Sequence, residues 1–487
     1  MVFNSVKFLF FFVIVITIYF SIPHRVRWIW LLGASYYFYM LWKPVYILLI
    51  GITTVVTYYA GIRMGQTDVR SRRKKFLFFS LLSNIGLLFA FKYYNFFNDS
   101  LRTLFQHYHL VYGIPSLDLI LPLGISFYIF KSLSYSIDVY RGDKAPETHL
   151  GFFALYVSFF PQLLAGPIER ASRLIPQFYK KYNFDYQRVT RGFILMLWGL
   201  FQKMVIADNL ATFVDSVYSH PTQYQGISLL TAAVFYSFQI YCDFSGYSDI
   251  AIGVAQVMGF TTMVNFNRPY FSKSIAEFWR RWHISLSSWF KDYLYIPMGG
   301  NRVSVPRWYL NLFVVMLICG FWHGASWTFL AWGGLHGFYL IFSILTRSAR
   351  GHLVRMIGLD RVPRLHSYLK ILITFSSVCF AWIFFRANSI SDALYIISHL
   401  FTGWQDIFHA DVLIKDLLWG SLKFEWIIGL TSIGVLTLIE WGARHGSIVE
   451  MISAKPIWIR WPAYYFILLS ILLFGHFGTK QFIYFQF

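Results

Sequence analysis

Charge is what this sequence has least of. Only 13% of its 487 residues are Asp, Glu, Lys or Arg, about half the share typical of soluble domains. Acidic residues are the scarcer kind, 22 against 42 Lys and Arg. Cysteine is limited to Cys242, Cys319 and Cys379, far apart and without a C-x-x-C pair. That spacing argues against a disulfide scaffold and a cysteine zinc site, and no metal site is expected. No linker, low-complexity tract or internal repeat interrupts the chain. No G-x-S-x-G elbow, Walker loop, H-E-x-x-H or dinucleotide fingerprint occurs either. Serine hydrolysis, nucleotide hydrolysis, zinc proteolysis and dinucleotide redox chemistry are therefore unsupported.

Apolar surface fills the space that charge leaves. The chain is 57% hydrophobic and 21% aromatic, and apolar runs able to cross or nearly cross a bilayer recur from end to end. The reading is an all-α polytopic membrane protein, residues 1–487 forming one integral membrane domain, with roughly 11–14 transmembrane or re-entrant helices. The opening "MVFNSVKFLFFFVIVITIYF" has one Lys and no small-residue cleavage site, so it reads as a retained span rather than a signal peptide.

The net charge of +20 suits the positive-inside rule better than nucleic acid. Basic loops at 63–75, 141–191, 273–307, 347–364 and 444–460 are assigned to the cytoplasm. Acidic or neutral loops at 98–116, 208–225 and 388–424 are assigned outside, which also places both termini outside. Spans are expected near 7–22, 27–42, 45–62, 76–97 and 117–137, then near 190–207 and 226–247. Between these groups, "GFFALYVSFFPQLLAGPIER" has basic flanks on both sides and carries Pro161, Gly166 and Pro167. It reads as a re-entrant segment, because prolines break a helix and broken backbone at membrane depth must be buried in protein or line a cavity.

The same charge logic applies to Trp308–Thr346, which has basic loops at both ends. It must cross an even number of times, so two helices are expected with a turn near "GFWHGASW". His323 then sits at the turn, and His336 lies on the second helix. A single long helix is the alternative, with the two histidines about 20 Å apart along its axis. Neither arrangement readily puts both rings on one metal.

Polar residues in apolar segments are functional candidates in membranes. In "FQIYCDFSGYSDIAIG", Asp243, Ser245 and Asp249 qualify. Gly246 reads as a break that lets the chain turn within a cavity, and a helix end with capping carboxylates is the competing reading. In "IAEFWRRWHISLSSWFKDYLYIPMGGNR", Trp279, Trp282, Leu286, Trp289 or Phe290, and Tyr293 recur at three- and four-residue steps. That pattern predicts one amphipathic helix with an aromatic face. Arg280, Arg281, Lys291 and Arg302 suit phosphate groups at the membrane surface, although an interfacial helix with snorkelling arginines also covers them. It leaves His283 unexplained. A histidine in an apolar helix is more often a packing residue than a catalyst. A buried, neutral imidazole is nonetheless able to accept a proton. A lone base of this kind can deprotonate a hydroxyl that attacks an activated acyl group such as a thioester.

These segments resemble a known family. "LLGASYYFYMLWKP", "LPLGISFYIFKSLSYSIDVYRG", "FFPQLLAGPIER", "QIYCDFSGYSDIAIG", "NFNRPYFSKSIAEFWRRWHISLSSWFKDYLYIPMGGNR", "FWHGASWTFLAWGGLHG" and "CFAWIFFRANS" are similar to motifs of the membrane-bound O-acyltransferases. The likeness is to the bacterial branch that O-acetylates alginate and other exported polysaccharides, and it covers nearly the whole chain. The resemblance implies helices around a central tunnel or funnel in the cell inner membrane. It implies that His323, in "WHG", is the catalytic histidine and that His283 holds the second polar active-site position. His336 matches a recurrent family position. Asp243, Ser245, Asp249, Trp279, Trp282, Trp322 and His336 are candidate tunnel residues.

The resemblance further implies acetyl-CoA as donor substrate, no bound cofactor, a polysaccharide acceptor, and an extracytoplasmic SGNH-type acetyltransferase or other glycan-modifying partner. A close relative in the family moves D-alanine toward teichoic acid instead. A non-enzymatic polysaccharide-export or transport subunit is the reading from another class, since intramembrane Asp and His fit that too. The closing "KQFIYFQF" reads chiefly as an interfacial aromatic belt, with Tyr484 as an acyl-relay hydroxyl the lesser reading.

Overall fold

A computed structural model describes residues 1–403, 422–443, 446–477 and 482–483. Among them the regular structure is helical, with no strand. Eight of the described helices are long and apolar enough to cross a membrane: Pro44–Gly65, Arg70–His107, Tyr186–Ser219, Ile227–Met258, Val305–His323, Trp327–Leu345, Pro363–Arg386 and Ile457–Phe474. Val6–Ser21 and Trp426–Gly442 are shorter apolar helices. The chain is an all-α polytopic membrane protein, as composition and hydropathy require.

The residues group into two compact units. The first comprises Met1–Phe193 and Ala251–Met263. It holds α1 (Val6–Ser21), α2 (His24–Met40), α3 (Ile47–Gly65), α4 (Arg70–Leu88), α5 (Tyr94–His107), α6 (Ile125–Arg141), α7 (Leu150–Ser158), α8 (Phe160–Leu163) and α9 (Ala171–Phe178). The span expected at 117–137 starts later, at Ile125. The residue before it, Gly124, has φ +73°, and a Cβ there would lie 2.3 Å from the Leu163 carbonyl oxygen. Only glycine meets both conditions.

That close approach locks α6 onto the segment expected to be broken. The break falls at Phe159, between α7 and α8, with Pro161 in the first turn of α8. The freed backbone is satisfied inside the protein, as apolar surroundings demand. Ser35 Oγ accepts from the Phe160 amide at 3.1 Å. Buried Lys131 on α6 donates to the Tyr156 carbonyl at 3.3 Å and to Gln162 Oε1 at 3.0 Å.

The second unit comprises Ile194–Ile250 and Val264–Phe487. Its helices begin with the continuation of α10 (Tyr186–Leu200), then α11 (Asp208–Ser219) and α12 (Ile227–Met258). A short irregular stretch leads to α13 (Ile275–Arg281) and α14 (Ile284–Phe290). The hairpin α15 (Val305–His323) and α16 (Trp327–Leu345) follows, then α17 (Arg347–Met356), α18 (Pro363–Arg386) and α19 (Ile390–His399). Beyond these come α20 (Leu422–Gly442), α21 (Ile448–Ser453) and α22 (Ile457–Phe474).

Three expectations need correction here. Asp208 does not open a loop. A widened π-turn at Phe201–Ala207 carries α10 directly into α11, whose Asp208, Phe213 and Val217 are buried. Gly246 does not break α12, which runs unbroken for 32 residues. Gly246 permits a close helix crossing instead: a Cβ on it would lie 2.6 Å from the Gly199 carbonyl oxygen, and one on Gly199 would lie 2.5 Å from that of Gly246. Asp243 and Asp249 are consequently mid-helix residues, not caps. Finally, residues 275–295 are not one amphipathic helix. They form two seven-residue helices, α13 and α14, followed by a π-turn at Lys291–Tyr295.

Candidate active site

The break between α13 and α14 falls on His283. Ser274 caps the start of α13 by accepting from the Glu277 amide, and the helix ends at Arg281. His283 then adopts φ +42° and ψ +53°, the left-handed region, which costs a non-glycine residue about 1 kcal/mol. The residues around it hold it there. Asn265 accepts from the Ile284 amide through its carbonyl, at 2.9 Å. Its side-chain oxygen accepts from Ser285 Oγ at 2.9 Å, and its Nδ2 donates to Ser248 Oγ at 3.1 Å. Backbone strain held by surrounding bonds is frequent at functional sites. His283 is fully buried and lies outside the membrane-spanning helices. Burial pushes its imidazole down to about 3, so the ring is neutral.

His323 reaches the same place from the other direction. It is the last residue of α15, and α16 starts four residues later, so the expected hairpin is present with His323 at its turn. Glycines bring the two helices into backbone contact. A Cβ on Gly320 would lie 2.3 Å from the Phe329 carbonyl oxygen, and one on Gly333 would lie 2.4 Å from that of Met316. Small residues at such crossings let helices pack in lipid. The result sets the His323 ring 6.5 Å from that of His283, centroid to centroid, at an interplanar angle of 65°. His323 is 2% exposed.

Aromatic rings enclose the pair. Trp322 lies 6.0 Å from His283. Trp332 meets His323 edge-on at 5.1 Å and stacks on Trp382 at 5.4 Å. Trp382 in turn packs 5.1 Å from the buried Trp282. His336, one turn after Trp332 on α16, lies 4.9 Å from that indole. Its Nδ1 accepts from Trp279 Nε1 at 3.3 Å. The two histidines of the hairpin thus share Trp332 as a neighbour.

Asp243, Ser245 and Asp249 form a separate polar group facing the widened turn at Phe201–Ala207. Lys203, on that turn, pairs with Asp243 and also with Asp208 at 2.9 Å. Gln202 accepts from Ser245 Oγ and donates to Asp249 at 2.8 Å. Of the basic candidates, Arg280, Lys291 and Arg302 are exposed, while Arg281 is held by Glu277 at 2.6 Å. Lys291 lines a cavity of about 130 Å³ together with Trp279, Ser287, Phe290, Met316 and Cys319. Trp279 therefore borders both this cavity and His336. Among the described residues, no group of three or more His, Cys, Asp or Glu side chains gathers to hold a metal.

Sequence reasoning missed Trp332, Trp382, Asn265, Gln202 and Lys203. Trp332 was recoverable from its four-residue spacing to His336, which puts both on one helix face. The other four carry no local signal, because their roles depend on partners distant in sequence.

An all-helical polytopic scaffold with two buried histidines facing one aromatic enclosure defines a membrane protein with an internal polar site. Its family follows from comparison. Residues 40–389 match the model of the membrane-bound O-acyltransferase family, and the chain belongs to that family. It is 42% identical over 410 residues to the probable alginate O-acetylase AlgI of Pseudomonas aeruginosa, covering 83% of this chain and 76% of that protein. It is 38% identical over 395 residues to the peptidoglycan O-acetyltransferase of Helicobacter pylori, covering 76% and 72%. It is 30% identical over 293 residues to the teichoic acid D-alanyltransferase of Streptococcus thermophilus, covering 54% and 68%. The chain is accordingly a membrane O-acyltransferase, which sets aside the non-enzymatic transport reading.

Proposed function

We propose that this chain moves an acetyl group from cytosolic acetyl-CoA across the inner membrane, for O-acetylation of an exported or cell-envelope polysaccharide. The observation that carries the reading is the pair of buried histidines, 6.5 Å apart, on one site. Names of the relatives supply the acetyl group and the polymer class, alginate for one and peptidoglycan for another.

His323 acts as general base. It takes the proton of an acceptor hydroxyl as that oxygen attacks the thioester carbonyl. The C–O bond forms, the C–S bond breaks, and the thiolate leaves and is protonated by the imidazolium. His283, held neutral and fixed in its strained turn, orients the hydroxyl or donates to the developing oxyanion. The indoles of Trp322, Trp332 and Trp382 keep water from the acyl group. Arg280, Lys291 and Arg302 serve the donor phosphates, while Arg281 is held by Glu277, and the cavity beside Lys291 leads toward Trp279. Asp243, Ser245, Asp249 and His336 support the site from behind. An extracytoplasmic SGNH-type transferase completes delivery to the sugar, and both chain termini lie on its side of the membrane.

The test is thiol release from acetyl-CoA by purified protein in the presence of a glycan acceptor. Turnover that persists in a folded His323→Ala variant overturns the mechanism. The more distant D-alanyltransferase relative favours a second reading, transfer of an aminoacyl group from a carrier-protein thioester. Offering both donors to the same preparation separates the two.

A further inference from the structure

The chain does not leave the second unit after α22. Asn209 Nδ2 donates to the Phe474 carbonyl at 2.9 Å, and the His476 amide donates to the Met204 carbonyl at 3.3 Å. Both partners belong to the widened turn or the helix that continues from it. Further on, Phe482 and Ile483 are 3% and 6% exposed. The burial of Phe482 corrects the expectation of an interfacial aromatic belt for that residue. Tyr484 lies outside the described residues.

The contacts of this segment are specific. The Ile483 amide donates to Asp243 Oδ2 at 2.7 Å. The other oxygen of that carboxylate pairs with Lys203, which Asp208 also holds. Phe482 stacks on Tyr247 at 4.7 Å and packs on Phe244 at 5.6 Å. Phe244, next to Asp243 in α12, lies 4.6 Å from the His283 ring. A line of contact therefore runs from the Ile483 amide, through Asp243 and the Phe482–Phe244 pair, to His283.

We infer that Asp243 is a positioning residue: fixed by Lys203, its carboxylate docks the 482–483 segment, and the docked Phe482 holds the Phe244 shelf against His283. The placement explains a charged pair deep in apolar surroundings. A carboxylate with one oxygen on an ammonium group and the other on a backbone amide is held in one orientation. The kinetic arm of the following test rests on the acyl-transfer reading; the labelling arm does not.

The native cysteines are buried, and labelling at position 483 is read separately from theirs by peptide mapping. In detergent-solubilised Ile483→Cys protein, maleimide labelling should be slow, since position 483 is buried. Adding Asp243→Asn should speed labelling at position 483 about tenfold, the effect of losing one charge-assisted hydrogen bond. Cys319 and Cys379 should stay protected, which separates undocking from unfolding, and Lys203 keeps Asp208 as its partner. An unchanged rate at position 483 overturns the inference. A second arm alters the amide side of the contact. Ile483→Pro removes the amide donor, whereas Ile483→Ala retains it. Thiol release from acetyl-CoA should fall about tenfold for the proline variant alone, and Asp243→Asn should add nothing to it. Equal rates for Pro and Ala, or additive losses, overturn the inference. Absence of thiol release from acetyl-CoA in the unsubstituted protein, with labelling as expected, would count against the acyl-transfer reading and leave the docking role standing.

Discussion

His283 and His323 reach each other from opposite kinds of backbone. One occupies a left-handed residue between two short helices, and the other is the final residue of a long membrane helix. Their rings end 6.5 Å apart. Replacing His323 with Ala should lower acetyl transfer about 100- to 10,000-fold, the range for losing a general base. Replacing His283 with Ala should lower it less, because an orienting group is removed while the base remains. Single-turnover thiol release with each variant measures both effects.

The left-handed backbone at His283 gives a separable prediction. His283→Gly and His283→Ala both remove the imidazole, but glycine adopts φ +42° without strain. The glycine variant should therefore be more stable than the alanine variant by about 1 kcal/mol, with both poorly active. Thermal unfolding in detergent, compared with turnover, distinguishes strain from chemistry.

Gly320 and Gly333 set the hairpin spacing. Gly320→Ala forces a Cβ to within 2.3 Å of a backbone oxygen, so α15 and α16 must separate. Destabilisation of about 1–3 kcal/mol is expected, with activity falling further than stability because His323 moves with α15. Gly334→Ala, whose Cβ would meet side-chain atoms at 3.7 Å, should be near neutral in both assays.

The basic candidates divide by their surroundings. Lys291→Gln and Arg302→Gln should raise KM for acetyl-CoA with little change in kcat, and the effect should shrink at high salt. Arg281→Gln should act chiefly on stability, since Arg281 is already paired with Glu277 at 2.6 Å. Initial rates across donor and salt concentrations test the division.

Much of this architecture was readable in advance. Charge bias alone required an even number of crossings between Trp308 and Thr346, and the small residues of "GFWHGASW" located the turn. Prolines marked the break that the structure puts at Phe159. The errors share one cause, that local pattern does not reveal what a residue packs against. Aromatic spacing of three and four residues continues across the His283 turn, because both short helices bury an aromatic side; only Asn265, remote in sequence, shows that the helix stops. Gly246 looked like a breaker because the opposing Gly199 is 47 residues away. The ion pairs of Lys203 were hidden similarly, because a π-turn has no clear sequence mark.

Trp332 has one further consequence. The same indole lies 5.1 Å from His323 and 4.9 Å from His336, so it is a mechanical link between them. Removing the His336 ring should free Trp332 to tilt, and the tilt should be felt at His323 without any chemistry at position 336. An alanine survey scored by activity alone would then count three essential histidines where the proposed mechanism uses two. A substitution at His336 that preserves ring volume should recover what alanine loses, and that recovery is the signature of a spacer rather than a reagent.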